Sequence, residues 1–166
     1  MKKLTKEQLR KIVLFLKRCG AVCKIKQDNK ASYLAGIDLN NRHNPDLIIN
    51  PCKWNGLALT PADIKAGGIK NKLRPSQKAI LLHEIGHLKT DNGWKEARSL
   101  KEYRAQKWAI EYSFKNGWHD LVNHGAAHIR FWKFCLYHSD SRIYKMAYKL
   151  IAKDKKWAKQ YGIMCE

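Results

Sequence analysis

Ser76-Gln77-Lys78-Ala79-Ile80-Leu81-Leu82-His83-Glu84-Ile85-Gly86-His87-Leu88-Lys89-Thr90 is the stretch on which the fold turns. Apolar residues at 79, 80, 81, 82, 85 and 88 follow helical spacing, and Asp91-Asn92-Gly93 supplies a stop. In the middle lies His83-Glu84-Ile85-Gly86-His87, an H-E-x-x-H motif. Residues i and i+4 of a helix share one face, so both imidazoles can bind a single Zn²⁺. Glu84 stands one step round, where it can take a proton from a water on that metal. A chain with seven histidines yields such a match by chance about once in a hundred sequences of this size. The helical setting is independent support, because most chance matches fall elsewhere.

A catalytic zinc needs a third protein ligand and an open position for water. Thr90 and Gly93 occupy the places where a short motif would carry another histidine, and no histidine lies between His87 and His119. The carboxylates of that interval are Asp91, Glu96, Glu102 and Glu111. Asp91 is one turn beyond His87 and reaches the metal only indirectly, and Glu96 falls in a connecting loop. The next predicted helix runs from Ser99 to Phe114 and ends at Asn116-Gly117. Glu102 opens it, and Ala105 and Ala109 keep part of that face small enough for close approach to the metal helix. Glu102 is thus the first choice of third ligand. The competing reading is a capping box, Ser99-x-x-Glu102, in which the glutamate only bonds back to the Ser99 amide. Glu111 or a histidine remains in reserve. His124 and His128 form another i, i+4 pair, without a glutamate between them and with Gly125 in the turn. Either of them, or Tyr103, Tyr112 or His119, is a candidate to steady an oxyanion.

His83–His87, followed by Glu102-Tyr103-Arg104-Ala105-Gln106-Lys107-Trp108-Ala109, resembles the ImmA/IrrE-type zinc metallopeptidases. That family shows H-E-x-G-H and then E-x-x-A-x-x-F-A on the following helix; Trp108 stands where its phenylalanine usually does. The likeness spans about residues 76–114. It implies a gluzincin ligand set of His83, His87 and Glu102, with Glu84 as catalytic base. It also implies a small zincin-like domain and, as substrates, repressors or related regulators inside bacterial cells.

Upstream, Thr5 with Lys6-Glu7-Gln8 predicts a helix N-terminus, Leu9, Ile12, Val13 and Leu16 share a face, and Gly20 closes the helix near residue 19. Three β-prone pieces follow, Ala21–Gln27, Ala31–Asn40 and Pro45–Asn50, separated by turn-like clusters. Residues 51–75, with Pro51, Asn55-Gly56, Pro61, Gly67-Gly68 and Pro75, read as irregular with one short strand at Leu57–Leu59. Downstream, two helical stretches are expected at about 118–137 and 141–160. Helix, small sheet and helical remainder define an α+β order. The expected organisation is one domain: helix and sheet over 1–75, the zinc-binding helix pair over 76–116, and a basic helical part over 117–166.

The 33 Lys+Arg against 14 Asp+Glu leave a formal charge of +19, spread along the whole chain. Such a field favours polyanionic or acidic partners. On the last stretch Arg142, Lys145, Lys149, Lys153 and Lys156 recur at three- and four-residue steps. They form either an ordinary solvated helix face or a set of phosphate contacts. No base-reading motif is recognisable. Five cysteines, odd in number and without a Cys-x-x-Cys pair, argue against a disulfide framework and for a reducing, cytoplasmic setting. The longest apolar run, Ile12–Leu16, is too short for a membrane span or a signal peptide. Three functions fit these features. First is a zinc endopeptidase acting on an intracellular, DNA-bound regulator. Second is a SprT-like protease for DNA-associated proteins, which lacks its third histidine here. Third is a basic nucleic-acid-binding protein with a structural zinc.

Overall fold

The computed structural model describes residues 2–40, 44–67, 72–91, 96–138 and 142–163. Among them the order is α1 (Lys6–Arg18), β1 (Lys24–Gln27), β2 (Ala35–Asp38), β3 (Asp46–Ile49), α2 (Pro51–Asn55) and α3 (Pro61–Lys65). The long helices α4 (Pro75–Thr90), α5 (Arg98–Lys115) and α6 (His119–His138) follow, then α7 (Arg142–Lys153) and α8 (Lys155–Gln160). The mixed α+β class is therefore observed. No helix among the described residues is long and apolar enough to cross a membrane.

Local sequence sets the start of α1. Thr5 Oγ1 accepts the Gln8 amide at 3.1 Å, and Gln8 Oε1 accepts the Thr5 amide at 2.8 Å, which satisfies two orphan helix donors reciprocally. Ile12 and Leu16, on the inner face, are buried with Leu47 and Ile49 of the central strand. Burying side chains of that size contributes about 1.5–3 kcal/mol each.

The sheet has the order β1-β3-β2, with β1 parallel and β2 antiparallel to β3. Either Ala31–Asn40 or Pro45–Asn50 could have supplied the sheet edge beside the metal helix. The structure selects the first of these: β3 is paired on both sides, and β2, within Ala31–Asn40, is the edge strand packed beside α4. Ile37 of β2 aligns with Leu47 and Ala35 with Ile49.

Residues 51–75 contain no strand at Leu57–Leu59; instead α2 and α3 occupy this segment, which overturns the irregular reading. Both prolines sit at the first helical position, where a missing N–H costs nothing. Asn50 caps α2 by accepting the Cys52 and Lys53 amides, and Thr60 with Asp63 forms a capping box on α3. Asp63 also accepts the Ser76 amide at 2.9 Å and so fixes the first turn of α4.

The C-terminal stretch breaks at Asp154 and does not run as one helix to residue 160. Asp154 Oδ2 accepts Lys107 Nζ at 2.7 Å and the Tyr103 hydroxyl at 3.2 Å. Those α5 side chains hold the break, and α8 is anchored beyond it by Trp157 Nε1, which donates to Glu111 Oε1 at 2.8 Å. Lys156 therefore leaves the row formed by Lys145, Lys149 and Lys153.

α4 is apolar on several sides because it is covered on several sides, by α5, β2, α6, α3 and α1. Its closest neighbour is α5. A Cβ built on Gly86 would stand 2.3 Å from the Ala105 carbonyl oxygen, so only glycine permits this crossing. Gly86→Ala is expected to cost about 3 kcal/mol, the upper end of the usual range for overpacking, since backbone must move to make room. Chemical denaturation checks this; a loss below 1 kcal/mol would mean the helices part easily.

Candidate metal centre

α4 presents His83 and His87 one turn apart, and the close Gly86–Ala105 crossing brings the first turn of α5 up to them. Glu102 Oε2 lies 3.0 Å from His83 Nε2 and 3.5 Å from His87 Nε2, and the two imidazole nitrogens are 3.2 Å apart. The rings stand perpendicular, with centroids 4.8 Å apart. Bonds of about 2.0–2.1 Å at tetrahedral angles separate neighbouring donor atoms by about 3.3 Å. The three observed separations bracket that spacing. This His-His-Glu group could hold a metal ion.

The tautomer fits as well. His83 Nδ1 is 3.0 Å from Gln106 Oε1, and an amide oxygen only accepts, so Nδ1 carries the hydrogen. The lone pair of neutral His83 is then on Nε2, aimed into the cluster. A partner on the outer nitrogen that fixes ring and tautomer is the usual support of a metal-binding histidine. A positive charge among the three donors, a proton on His83 or a metal ion, is what lets them converge at these distances.

Electrostatics point the same way. Burial pushes the Glu102 carboxyl up, but hydrogen bonds and charge from His83 and His87 outweigh it and hold the group well below the usual carboxylate range. Burial likewise pulls the His83 imidazole down, and its bond to Glu102 with the charges of Glu84 and Glu102 reverses the sign, leaving it raised. The group thus favours a positive charge between its donors, and could hold a metal ion there.

Glu84 stands outside this donor group. Its Oε2 accepts the Ile37 amide of β2 at 3.0 Å, which ties the metal helix to the sheet edge. Burial is the largest influence on its carboxyl and raises the pKa; Glu102 adds to this, while His83, His87 and the Ile37 bond oppose it. A raised carboxylate is a better proton acceptor at neutral pH than an ordinary one.

The competing assignments also resolve. α5 begins at Arg98 with Ala97 at its N-cap, and no Ser99–Glu102 capping box forms. Asp91 pairs with Lys101 at 3.1 Å, Glu96 pairs with Arg104, and Glu111 binds Trp157. Among the described residues no further histidine joins the cluster. Of the oxyanion candidates, His124 and His128 line the cleft over the metal group, a space of about 770 Å3. They are there because Gly125 lets α6 press against α5: a Cβ on it would stand 2.7 Å from Ile110. Tyr103 is engaged with Asp154, Tyr112 donates to the Arg18 carbonyl, and His119 packs on Phe114, all outside the cleft lining.

Sequence reasoning missed Gln106, Ile37, Tyr33 and Arg98, the last with its Nε 4.0 Å from Glu102 Oε1. Gln106 was discoverable, since it follows Glu102 by one turn on the same face. Ile37 acts through its backbone and Tyr33 through its place in the bend just before β2, neither of which leaves a side-chain pattern. Tyr33 packs its ring over Gly36, whose absent Cβ would meet it at 2.9 Å.

Compared with known proteins, the chain matches no family model, and no curated protein or solved structure is detectably similar to it. What the centre does is therefore read from its own geometry and motifs.

Proposed function

We propose that the protein is a zinc-dependent metalloendopeptidase of zincin-like build, acting on an extended segment of a protein. The observation that carries this reading is Glu84: a half-buried carboxylate beside the ligand set, anchored on the strand that borders the cleft. A structural zinc has no use for such a group. The likeness of His83–His87 and Glu102–Ala109 to ImmA/IrrE-type metallopeptidases supports the same class. A SprT-like arrangement is less well supported, because Glu102 stands where a third histidine would be needed.

Zinc held by His83, His87 and Glu102 would supply a Lewis acid that makes water nucleophilic at neutral pH and polarises a carbonyl. The remaining steps belong to the chain. Gln106 keeps the His83 ring turned, and Glu102 supplies the negative charge. Glu84 Oε2 rests on the Ile37 amide, leaving Oε1 to take the proton of the attacking water and pass it to the leaving amine. The edge of β2 offers main-chain groups along which a peptide can add as a strand. His124 and His128, on the opposite wall, are the candidates to donate to the oxyanion.

Zinc-loaded protein incubated with a peptide library should create new N-termini that Glu84→Gln protein does not. Identical termini from both would overturn the reading. In cells, the same pair of proteins compared for lost or shortened polypeptides would identify the regulator it acts on.

The +19 charge would bring the enzyme to substrates on or near a polyanion. Lys149 and Lys153 are exposed on α7, Lys145 is partly covered, and exposed Lys156 continues on α8. Replacing these four with Gln should flatten the salt dependence of DNA binding by up to about four phosphate contacts and leave short-peptide hydrolysis intact. An unchanged salt slope would make the row a plain solvated face.

A further inference from the structure

A second recess, of about 400 Å3, opens where the end of α1, the entry to α4 and the start of α6 meet. It shares no lining residue with the metal cleft. Its floor is apolar, from Phe15, Leu73, Pro75 and Leu121, and its walls are basic.

Four cations converge on it: Arg18 from α1, Lys72 and Arg74 from the segment before α4, and Lys78 from the first turn of α4. Arg18 is fixed in place, its guanidinium 4.8 Å above the Trp118 ring. Arg74 is likewise held, donating from Nη2 to the Leu57 carbonyl at 3.0 Å. The acidic residues of the lining are already committed. Asp63 is fully buried, and its two oxygens accept the Ser76 amide at 2.9 Å and the Thr60 amide at 3.0 Å. Asp120 is turned to Lys65, 3.9 Å away. Among the described residues no carboxylate pairs with Arg18, Lys72 or Lys78.

Arg18 and Lys72 are exposed at the rim, so the charge that most needs a partner is Lys78. Buried or half-buried charges are normally paired. Lys78 is half-buried and has like charges for neighbours; burial first, then Arg18 and Lys72, pulls its ammonium below the usual lysine range. A multivalent anion would relieve all three cations at once, and the start of α4 adds a favourable dipole. We propose that this recess binds a phosphate group carrying two negative charges, held between Arg18, Lys72 and Lys78. The volume suits a phosphorylated small molecule or a phosphorylated chain end better than the body of a duplex. This inference does not depend on the peptidase reading.

Inorganic phosphate titrated by calorimetry should bind saturably at one site per chain. Arg18→Gln with Lys78→Gln should weaken it at least 10-fold, and Lys149→Gln with Lys153→Gln, on another surface, should not. Added phosphate should raise Tm in wild type and not in the Arg18/Lys78 variant. Displacement of phosphate by a 5′-phosphorylated oligonucleotide, but not by its unphosphorylated form, would assign the site to chain ends. Displacement by neither would support a small free phosphate. Unsaturable binding, or equal binding by the Arg18/Lys78 variant, would overturn the proposal.

Discussion

Glu84→Gln is expected to lose peptide hydrolysis by at least about 10²-fold while keeping its fold and its metal. The substitution is nearly isosteric, and the amide oxygen of glutamine can still accept the Ile37 N–H now bonded to Glu84 Oε2. The link between α4 and β2 therefore survives, and the ligand atoms of His83, His87 and Glu102 stay in place. What disappears is a basic oxygen at the one position beside the ligands. The loss should fall on kcat and leave KM nearly unchanged, since nothing that holds the peptide has been altered. Steady-state kinetics on a peptide from the library, with zinc content measured on the same samples, gives the answer. A Gln variant within a few-fold of wild type would remove Glu84 from the chemistry and return the centre to a structural role.

The parts of this molecule legible in the sequence are those fixed by short-range spacing. His83 and His87 meet because residues four apart on a helix must, and the Thr5–Gln8 capping box is likewise complete within four residues. Glu102 was reachable by elimination among the carboxylates after His87 together with the small residues at 105 and 109. Gly86 shows why those matter: with Ala105 across from it, the two helix backbones approach closely enough for a glutamate on α5 to touch histidines on α4.

Other features depended on partners distant in sequence. Nothing near Asp154 announces a helix break; Lys107 and Tyr103, about fifty residues earlier, hold it. The strand order β1-β3-β2 puts the last strand in the middle, so which segment faces α4 could not be read from three similar β-prone pieces. The error over 51–75 was different in kind. Asn50-Pro51 and Thr60-Pro61 are cap-then-proline starts, with Asp63 completing the second box, so these prolines mark helix entry and do not punctuate a loop.

Removal of any one ligand should abolish tight zinc binding, and the outer partner should matter measurably too. Zinc held at this centre would draw on two imidazole lone pairs and one carboxylate charge. His83→Ala or His87→Ala leaves one nitrogen and one oxygen, too few for a closed site with one open position. Gln106→Leu keeps all three donors but frees the His83 ring to turn and to change tautomer. The cost there should be about 10–100-fold in zinc affinity, and the loss from either histidine should exceed it. Glu102→Gln separates charge from shape: it retains an oxygen at the same reach and discards the negative charge that offsets the cation. It should bind zinc more weakly than wild type yet more tightly than Glu102→Ala. Competition against a chromophoric chelator ranks the variants, and chelation should lower the Tm of wild type but not of His83→Ala, because only a protein that binds metal is stabilised by it. Undiminished zinc affinity in His83→Ala would show that the metal sits elsewhere. Undiminished affinity in Glu102→Ala would leave the carboxylate as a hydrogen-bond partner of the histidines and nothing more.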